Sequence, residues 1–349
     1  MADSKKDKFV EESKSVASYI DRLPLWAKDA VDSCKHYRDI DSIDDKVFSL
    51  PADELNAITK SIPEGLYESF VKQMATLPKW EESPIKLTSM LKLNGKPFTL
   101  AKHRFFEPMF YSDLPPRMLL VCARQVGKST HMAAQGVLQA ACLDRFKVLF
   151  LAPQFEQIRR FSHQYIKQFI QESFIRGMLT DRTTMDSVLQ KTFKNKSELF
   201  FSFALLSVER VRGLAVDAIR LDEIQDLQPD YLDIIRECMS ASSRRSEMYT
   251  GTSKTVDNII EQLRLQSSQA EWFMKCDSCN HWNIPTVEGS GAGLGVANML
   301  QPEGLGCAKC SRLLNPEKGL WIHKYPERID FFPSYHVPQV IAPIHYANA

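Results

Sequence analysis

No stretch of the 349-residue sequence approaches the ~18 consecutive apolar residues that a membrane-crossing helix needs, so a helical membrane span is excluded. The opening residues 1–15 are charged where a secretory signal would be apolar. A surplus of either charge is missing too. Lys and Arg total 44 against 43 Asp and Glu, a formal net charge of +1. That balance excludes a histone-like or tail-driven nucleic-acid binder, although it leaves room for a local basic groove. Glycine is scarce, with 14 residues, yet four of them fall between Gly289 and Gly295, which reads as a flexible loop tip. Cysteine is sparse as well. Of the eight, Cys34, Cys122, Cys142 and Cys238 are scattered, and the rest form two C-x-x-C pairs. Without a secretory signal this pattern points to a cytosolic chain with a metal site, not to a disulfide framework.

What is present suits a packed core: 44% hydrophobic and 25% charged residues. Residues 1–98 read as a helical region, with apolar positions at helical spacing in Val16, Ile20, Leu23 and Trp26 and again in Leu55, Ile58 and Ile62. No motif there carries chemistry. From about 99 short apolar runs alternate with helical patterns. Strands are predicted at Met118–Val121, Val148–Leu151, Leu199–Phe201, Ala218–Leu221 and Met248–Thr250, with helices over 131–143 and 155–169 between them. Such alternation predicts an α/β fold with a central, mostly parallel sheet flanked by helices. The expected division is an N-terminal helical region over 1–98, a core over 99–270, an insertion over 271–320, and strands over 321–349 that return to the core.

Cys122-Ala-Arg124-Gln125-Val126-Gly127-Lys128-Ser129 fits the phosphate-loop pattern G-x-x-x-x-G-K-[ST], with Cys122 in place of the first Gly. A predicted strand precedes it and a helix-forming run follows Thr130. In such a loop the backbone N–H groups and the helix start cradle phosphates. Gly127 admits the close approach, Lys128 supplies a charge for the β- and γ-phosphates, and the Ser129 hydroxyl ligates Mg2+. Ninety-four positions after Lys128, the strand Ala218–Leu221 ends in Asp222-Glu223. Asp222 is the candidate for the Mg2+ shell and Glu223 for activating water. The competing reading, a D-E pair opening a helix, is common on its own. Arg220 interrupts the apolar strand. Arg124 is a candidate for stabilising charge on the γ-phosphate, against the alternative of a solvated side chain. Thr250-Gly251-Thr252 ends the next strand and could sense the γ-phosphate, although T-G-T is also ordinary turn chemistry.

Cys276-Asp-Ser-Cys279 and Cys307-Ala-Lys-Cys310 are two knuckles with 27 residues between them. Four thiolates suit tetrahedral Zn2+, and a closed set of four cysteines makes the site structural. His281 is a possible substitute ligand, or merely adjacent. The basic pieces Arg159-Arg160, 191–196 and Arg244-Arg245 read as solvated faces before they read as DNA contacts.

Together these residues resemble the ATPase part of the large terminase subunit, the motor that packs DNA into the procapsids of tailed phages and related viruses. Residues 123–130 look like that family's Arg-containing phosphate loop, in which the first Gly is often missing. Ala152-Pro153 with Gln157, Val211-Arg212-Gly213, Leu221-Asp222-Glu223 and Thr250-Gly251-Thr252 resemble its further elements, and some members carry a similar Cys pair of knuckles. The resemblance covers about 95–260. It implies a phosphate-loop NTPase fold and ATP hydrolysis with Mg2+. In it, Arg124 to Thr130 and Asp222 hold nucleotide, Arg124, Lys128 and Glu223 are catalytic, and Thr250 to Thr252 couple hydrolysis to movement. It further implies double-stranded DNA, a portal protein, a small terminase subunit and a homo-oligomeric ring as partners, all in the host cytoplasm. The usual adenine-reading Gln is replaced by the neighbourhood of His103. Complete members carry an RNase H-like nuclease. This chain ends before one would fit, so a motor without its nuclease is expected, truncated or split. Two rivals remain at this stage: a superfamily-2-like DNA helicase or translocase, and a zinc-ribbon assembly protein with an inert ATP site.

Overall fold

Alternation along the strands decides how the layers stack. The computed structural model describes residues 84–342, apart from 112–113, 174–175, 177–179, 181–183, 206, 255–257, 286–295 and 297–298. The helical patterns expected before residue 84, the Gly289–Gly295 tip and the final residues 343–349 lie outside the described residues. The central strands are β3 (Arg117–Cys122), β4 (Lys147–Ala152), β6 (Glu198–Phe203), β7 (Ala218–Leu221), β8 (Ser246–Gly251) and β14 (Ser334–Val337). They stand in the order β14-β3-β8-β7-β4-β6, and every neighbouring pair is parallel. Further strands flank this core. β5 (Gln190–Thr192) closes one side, antiparallel to β6; on the other, β9 (Ala270–Lys275) lies parallel to β14, and β10 (Trp282–Asn283) and β13 (Gly319–His323) pair with β9 in antiparallel fashion. All five strands expected in the core therefore lie in one sheet.

Both faces of that sheet are apolar, as parallel strands joined by crossover helices require. Met118, Leu120, Val148, Phe150 and Met248 point to one face and join the larger core. There they meet Ala133, Ala134, Val137 and Leu138 of α2 (Lys128–Cys142). Leu119, Val121, Leu149, Ile219 and Tyr249 point to the other face. They pack on α5 (Tyr231–Glu237) and α6 (Ile259–Gln266) through Leu232, Ile235, Ile260 and Leu263. The helical run over 155–169 is realised as α3 (Phe155–Phe161), a π-helical turn over Ser162–Ile166, and α4 (Lys167–Glu172).

The described part of the expected helical region departs from that expectation. After one turn, α1 (Pro84–Leu87), and a 3-10 turn to Met90, the chain folds into a hairpin, β1 (Lys92–Leu93) with β2 (Lys96–Pro97). Its turn is Asn94-Gly95 at φ +54° and +72°, the two positive angles a type I′ turn demands and these two residues tolerate. The cysteine-bearing segment turns back after β9 into β10, then leaves the sheet, forms a small hairpin of β11 (Leu300–Gln301) with β12 (Gly304–Leu305), and rejoins the sheet at β13. Strands β9 and β13 pair with each other, so the edges of the expected 271–320 insertion are themselves part of the sheet.

Arg220 lies in the middle of the central strand β7 and is fully buried. Strand alternation points it at α2, where its guanidinium donates to Gln135 Oε1 (3.0 Å) and Gln139 Oε1 (2.8 Å), four residues apart on one helix face. Two further bonds run to the carbonyls of Ile219 (2.9 Å) and Ser246 (3.1 Å). Burial without a carboxylate partner lowers its pKa to about 9, so the cation persists at neutral pH, held by four neutral oxygens. Arg220 thus clamps the helix that begins at Lys128 to the strand that ends at Asp222. Arg220→Ala would orphan two buried amides and leave a cavity. We predict a loss of about 3 kcal/mol in urea unfolding; a loss under about 1 kcal/mol would contradict the clamp.

Candidate functional site

The loop between β3 and α2 and the turn after β7 meet at the carboxyl end of the sheet, with β8 between the two strands that carry them. Register puts Leu120 beside Thr250 and Leu221 beside Tyr249, so all three strand ends reach one level. Gly127, at φ +91°, caps α2 without a side chain, and the first helical turn contains no acid. The helix start therefore offers N–H groups and the positive end of its dipole to an anion. Gln125 also lies at positive φ, +61°, which shapes the loop tip. Val126 is buried beneath it, and Arg124 is exposed at the tip.

Lys128 Nζ bonds Glu223 Oε1 and stands 3.6 Å from Asp222 Oδ1. Burial opposes its charge, but the two carboxylates outweigh burial and hold the ammonium above the ordinary lysine range. Burial likewise pushes Glu223 up. The Lys128 charge and hydrogen bond, aided by Gln225 and Lys254, overcome it and hold the carboxyl below its ordinary value. Asp222 accepts from Ser129 Oγ (2.7 Å), Thr250 Oγ1 (2.6 Å) and the Glu223 backbone N–H (3.0 Å), which fixes its orientation. Glu223 itself sits in the left-handed region at φ +54°. For a non-glycine residue that conformation is costly and persists only where surrounding contacts impose it.

The structure therefore brings together Lys128, Ser129, Asp222, Glu223 and Thr250. Gly251 and Thr252 follow at the same edge. Sequence reasoning missed two participants, Gln225 and His131. Gln225 Nε2 donates to Glu223 Oε2 at 2.5 Å while its Oε1 accepts from Thr252 N at 3.0 Å. His131, fully buried on α2, donates from Nδ1 to the Gly127 carbonyl at 2.9 Å; burial lowers its pKa to about 3, so it is neutral. His103, in the neighbourhood noted in the sequence, lies beside it with the two rings tilted and their centroids 5.0 Å apart, next to Gly127. Nothing in spacing marks these residues, because each acts through tertiary contact.

The outlying motifs have local roles. Gln157 returns a bond to the Gln154 N–H at the start of α3. Arg212 pairs with Glu209 at 3.2 Å, and Gly213 takes φ +84°. Of the basic pieces, Arg159 pairs with Glu156 and Lys191 is buried on Asp186. Arg244 lies over the Phe146 ring.

The four knuckle cysteines converge on one another. All their sulfurs lie within 4.8 Å of one another, with Cys276 and Cys310 3.7 Å apart and Cys279 and Cys307 3.6 Å apart. The two knuckles repeat one geometry. Asn280 N donates to the Cys276 carbonyl and Ser311 N to that of Cys307, each at 2.8 Å, and both residues lie at φ +58°. Buried Asn283 joins them, its Oδ1 accepting from Ala308 N at 2.9 Å. His281 is not in the sulfur cluster; its backbone carbonyl accepts from Cys276 N.

Glu223 has a depressed carboxyl, so its contribution to stability is present above the unfolded value of ~4.3 and is lost as pH falls through the folded one. We predict that unfolding free energy declines from pH 6 to 3.5 and that Glu223→Gln flattens the decline by up to about 1 kcal/mol, the pair being partly solvated. Identical pH dependence in both proteins would contradict the ion pair.

Comparison with known proteins adds a family. The family model described as phage terminase large subunit gpA, ATPase domain, matches residues 109–319, more than half of the chain. Among solved structures, the large terminase of bacteriophage HK97 is similar at 14% identity and TM-score 0.44, over 54% of this chain and 41% of that one. The ATPase domain of the Thermus phage P74-26 large terminase, in a point-mutant form, is similar at 15% identity and TM-score 0.41, over 70% of this chain and 89% of that one. A large terminase from a thermophilic bacteriophage, in complex with ADP, is similar at 12% identity and TM-score 0.32, over 44% and 37%. The chain thus spans less than half the length of the HK97 protein and of the ADP-bound one. A search of curated proteins finds no match. Among the described residues no helix is long and apolar enough to cross a membrane. With a phosphate-type loop and an acidic pair converging on one mixed, mostly parallel sheet, and with that model spanning 109–319, the chain belongs to the family of the phage terminase large subunit gpA ATPase domain.

Proposed function

We propose that this chain hydrolyses ATP and drives double-stranded DNA into a viral procapsid. The observation that carries the reading is the single cluster of Lys128, Ser129, Asp222, Glu223 and Thr250 at the carboxyl end of the sheet. The start of α2 and Lys128 bind the phosphates, with the Lys128 ammonium exchanging carboxylate oxygens for phosphate oxygens. Ser129 Oγ donates to Asp222 Oδ2 at 2.7 Å, so a hydroxyl and a carboxylate, oxygen donors of the kind Mg2+ takes, face one another and would hold the ion, Asp222 through water. That ion neutralises phosphate charge when bound. Glu223 Oε1, released by Lys128, orients the attacking water and accepts its proton. Arg124, exposed at the loop tip, meets charge building on the γ-phosphate. Gln125, Val126, Gly127 and Thr130 complete the cradle, and Thr250 to Thr252 transmit the state of the site.

The cysteine cluster fits zinc by its sulfur spacing. Tetrahedral zinc with ~2.3 Å bonds to sulfur separates its ligands by about 3.8 Å, close to the 3.6 and 3.7 Å found. The ion would hold a ribbon on the β9–β13 pair and take no part in hydrolysis. DNA, a portal protein, a small terminase subunit, a nuclease and neighbouring copies in a ring are the proposed partners, in the host cytoplasm.

The test is phosphate release from ATP and Mg2+, with and without double-stranded DNA. Glu223→Gln should lower turnover at least ~100-fold while triphosphate affinity stays within a few-fold, and Lys128→Ala should weaken affinity at least ~10-fold. Turnover unchanged in Glu223→Gln would reject the assignment. An unaltered protein inert with DNA and partner subunits would favour an assembly protein with a dead site. Elemental analysis should find one zinc per chain, lost in Cys307→Ser together with several degrees of Tm. A metal-free protein of undiminished Tm would reject the zinc site.

A further inference from the structure

The geometry points to Gln225 as a positioning residue that ties the orientation of the Glu223 carboxylate to the loop leaving β8. This inference rests on the reading of Glu223 as the group that activates water. Both ends of the Gln225 amide are committed. Nε2 donates to Glu223 Oε2 at 2.5 Å, and Oε1 accepts from the backbone N–H of Thr252 at 3.0 Å. The amide has one workable orientation, since turning it over would set an oxygen against a carboxylate and two N–H groups against each other. Glu223 Oε1 meanwhile belongs to Lys128. When phosphate draws Lys128 away, Gln225 is the neighbour still holding the other oxygen, and the position of Thr252 decides whether it can.

A second observation concerns the space that the same side chain occupies. Gly251 lies in β8, with backbone angles open to any residue, yet a Cβ built there would collide with Gln225 Oε1. The glycine of T-G-T therefore leaves room for the Gln225 side chain in this seat, with Ile260 Cδ1 and Ile224 Cγ2 crowding the same position, and does not serve a turn. A third contact straps the same two segments, Lys254 Nζ to Asp226 Oδ1 at 2.6 Å. The turn Ile224–Asp226 and the residues following β8 are thus joined by two side-chain contacts, and Gln225 makes the one that also touches Glu223. Displacement of residues 252–254 by DNA or a neighbouring subunit would withdraw the acceptor-bound amide and let Glu223 turn. Rotation of Glu223 on nucleotide binding would pull on Thr252 in return.

The experiment compares the unaltered chain with Gln225→Ala, Gln225→Glu and Gly251→Ala. Gln225 is partly exposed in a surface turn, so the variants should fold. Gln225→Ala should lower kcat about 10-fold or more with KM within two-fold. Gln225→Glu keeps size and the acceptor for Thr252 but removes the N–H, so it should be at least as slow as Gln225→Ala; a space-filling role would leave it near normal. Gly251→Ala should cost less in the Gln225→Ala background than alone. Hydrogen exchange supplies a readout free of turnover: the Thr252 amide should exchange faster in Gln225→Ala, and a non-hydrolysable ATP analogue should alter its protection in the unaltered chain only. Rates within two-fold of normal for Gln225→Ala and Gln225→Glu would overturn the proposal. Should the unaltered protein hydrolyse nothing, the reading of Glu223 fails, and the exchange of Thr252 then decides by itself whether Gln225 links the two segments.

Discussion

A buried lysine ammonium at the head of a helix is the constraint around which the rest is arranged. Lys128 and the dipole of α2 place positive charge at one point, and burial makes that charge costly unless an anion answers it. Without phosphate, the anions are Asp222 and Glu223. They can answer because β8 holds β3 and β7 at a fixed spacing and because parallel register brings the three strand ends level. A slip of one residue in β8 would turn Thr250 to the opposite face and remove its bond to Asp222.

Division of labour between the two faces of the sheet follows from the same alternation. One face receives α2 and, beneath the site, the Arg220 clamp to Gln135 and Gln139. The other receives α5 and α6. The carboxyl edge carries the acid pair and the turn after it. Arg220 is two positions from Asp222 on the same strand, so a single four-residue element both anchors the phosphate-loop helix and presents the acidic pair to it. The left-handed angle at Glu223 persists there because Lys128 and Gln225 hold its two oxygens from opposite sides.

Whatever depends on strand pattern and fixed spacing is legible in the sequence. The five core strands show as short apolar runs, and the G-K-S loop and the acid pair as ends of such runs. The C-x-x-C pairs show because each knuckle is local, two cysteines and a left-handed residue. What cannot be read depends on contacts across long separations. Gln225 is an ordinary glutamine in a turn until Thr252 is brought beside it. Arg220 looks like a flaw in a strand because its partners are amides on a helix about 80 residues earlier in the chain. The Asn94-Gly95 hairpin is marked by its two residues, but the helical spacing that dominates 1–98 masks that signal. Strands β9 and β13 are hard to assign to the sheet from sequence because the cysteines between them dominate the local composition.

The central claim is that one lysine trades two carboxylates for a triphosphate. A crystal structure of the protein with Mg2+ and a non-hydrolysable ATP analogue tests it most directly. The account predicts the β- and γ-phosphates at the start of α2, Lys128 Nζ within hydrogen-bond distance of them and parted from Glu223, and the metal between Ser129 and Asp222. A triphosphate bound elsewhere on the molecule, with Lys128 still on Glu223, would contradict it.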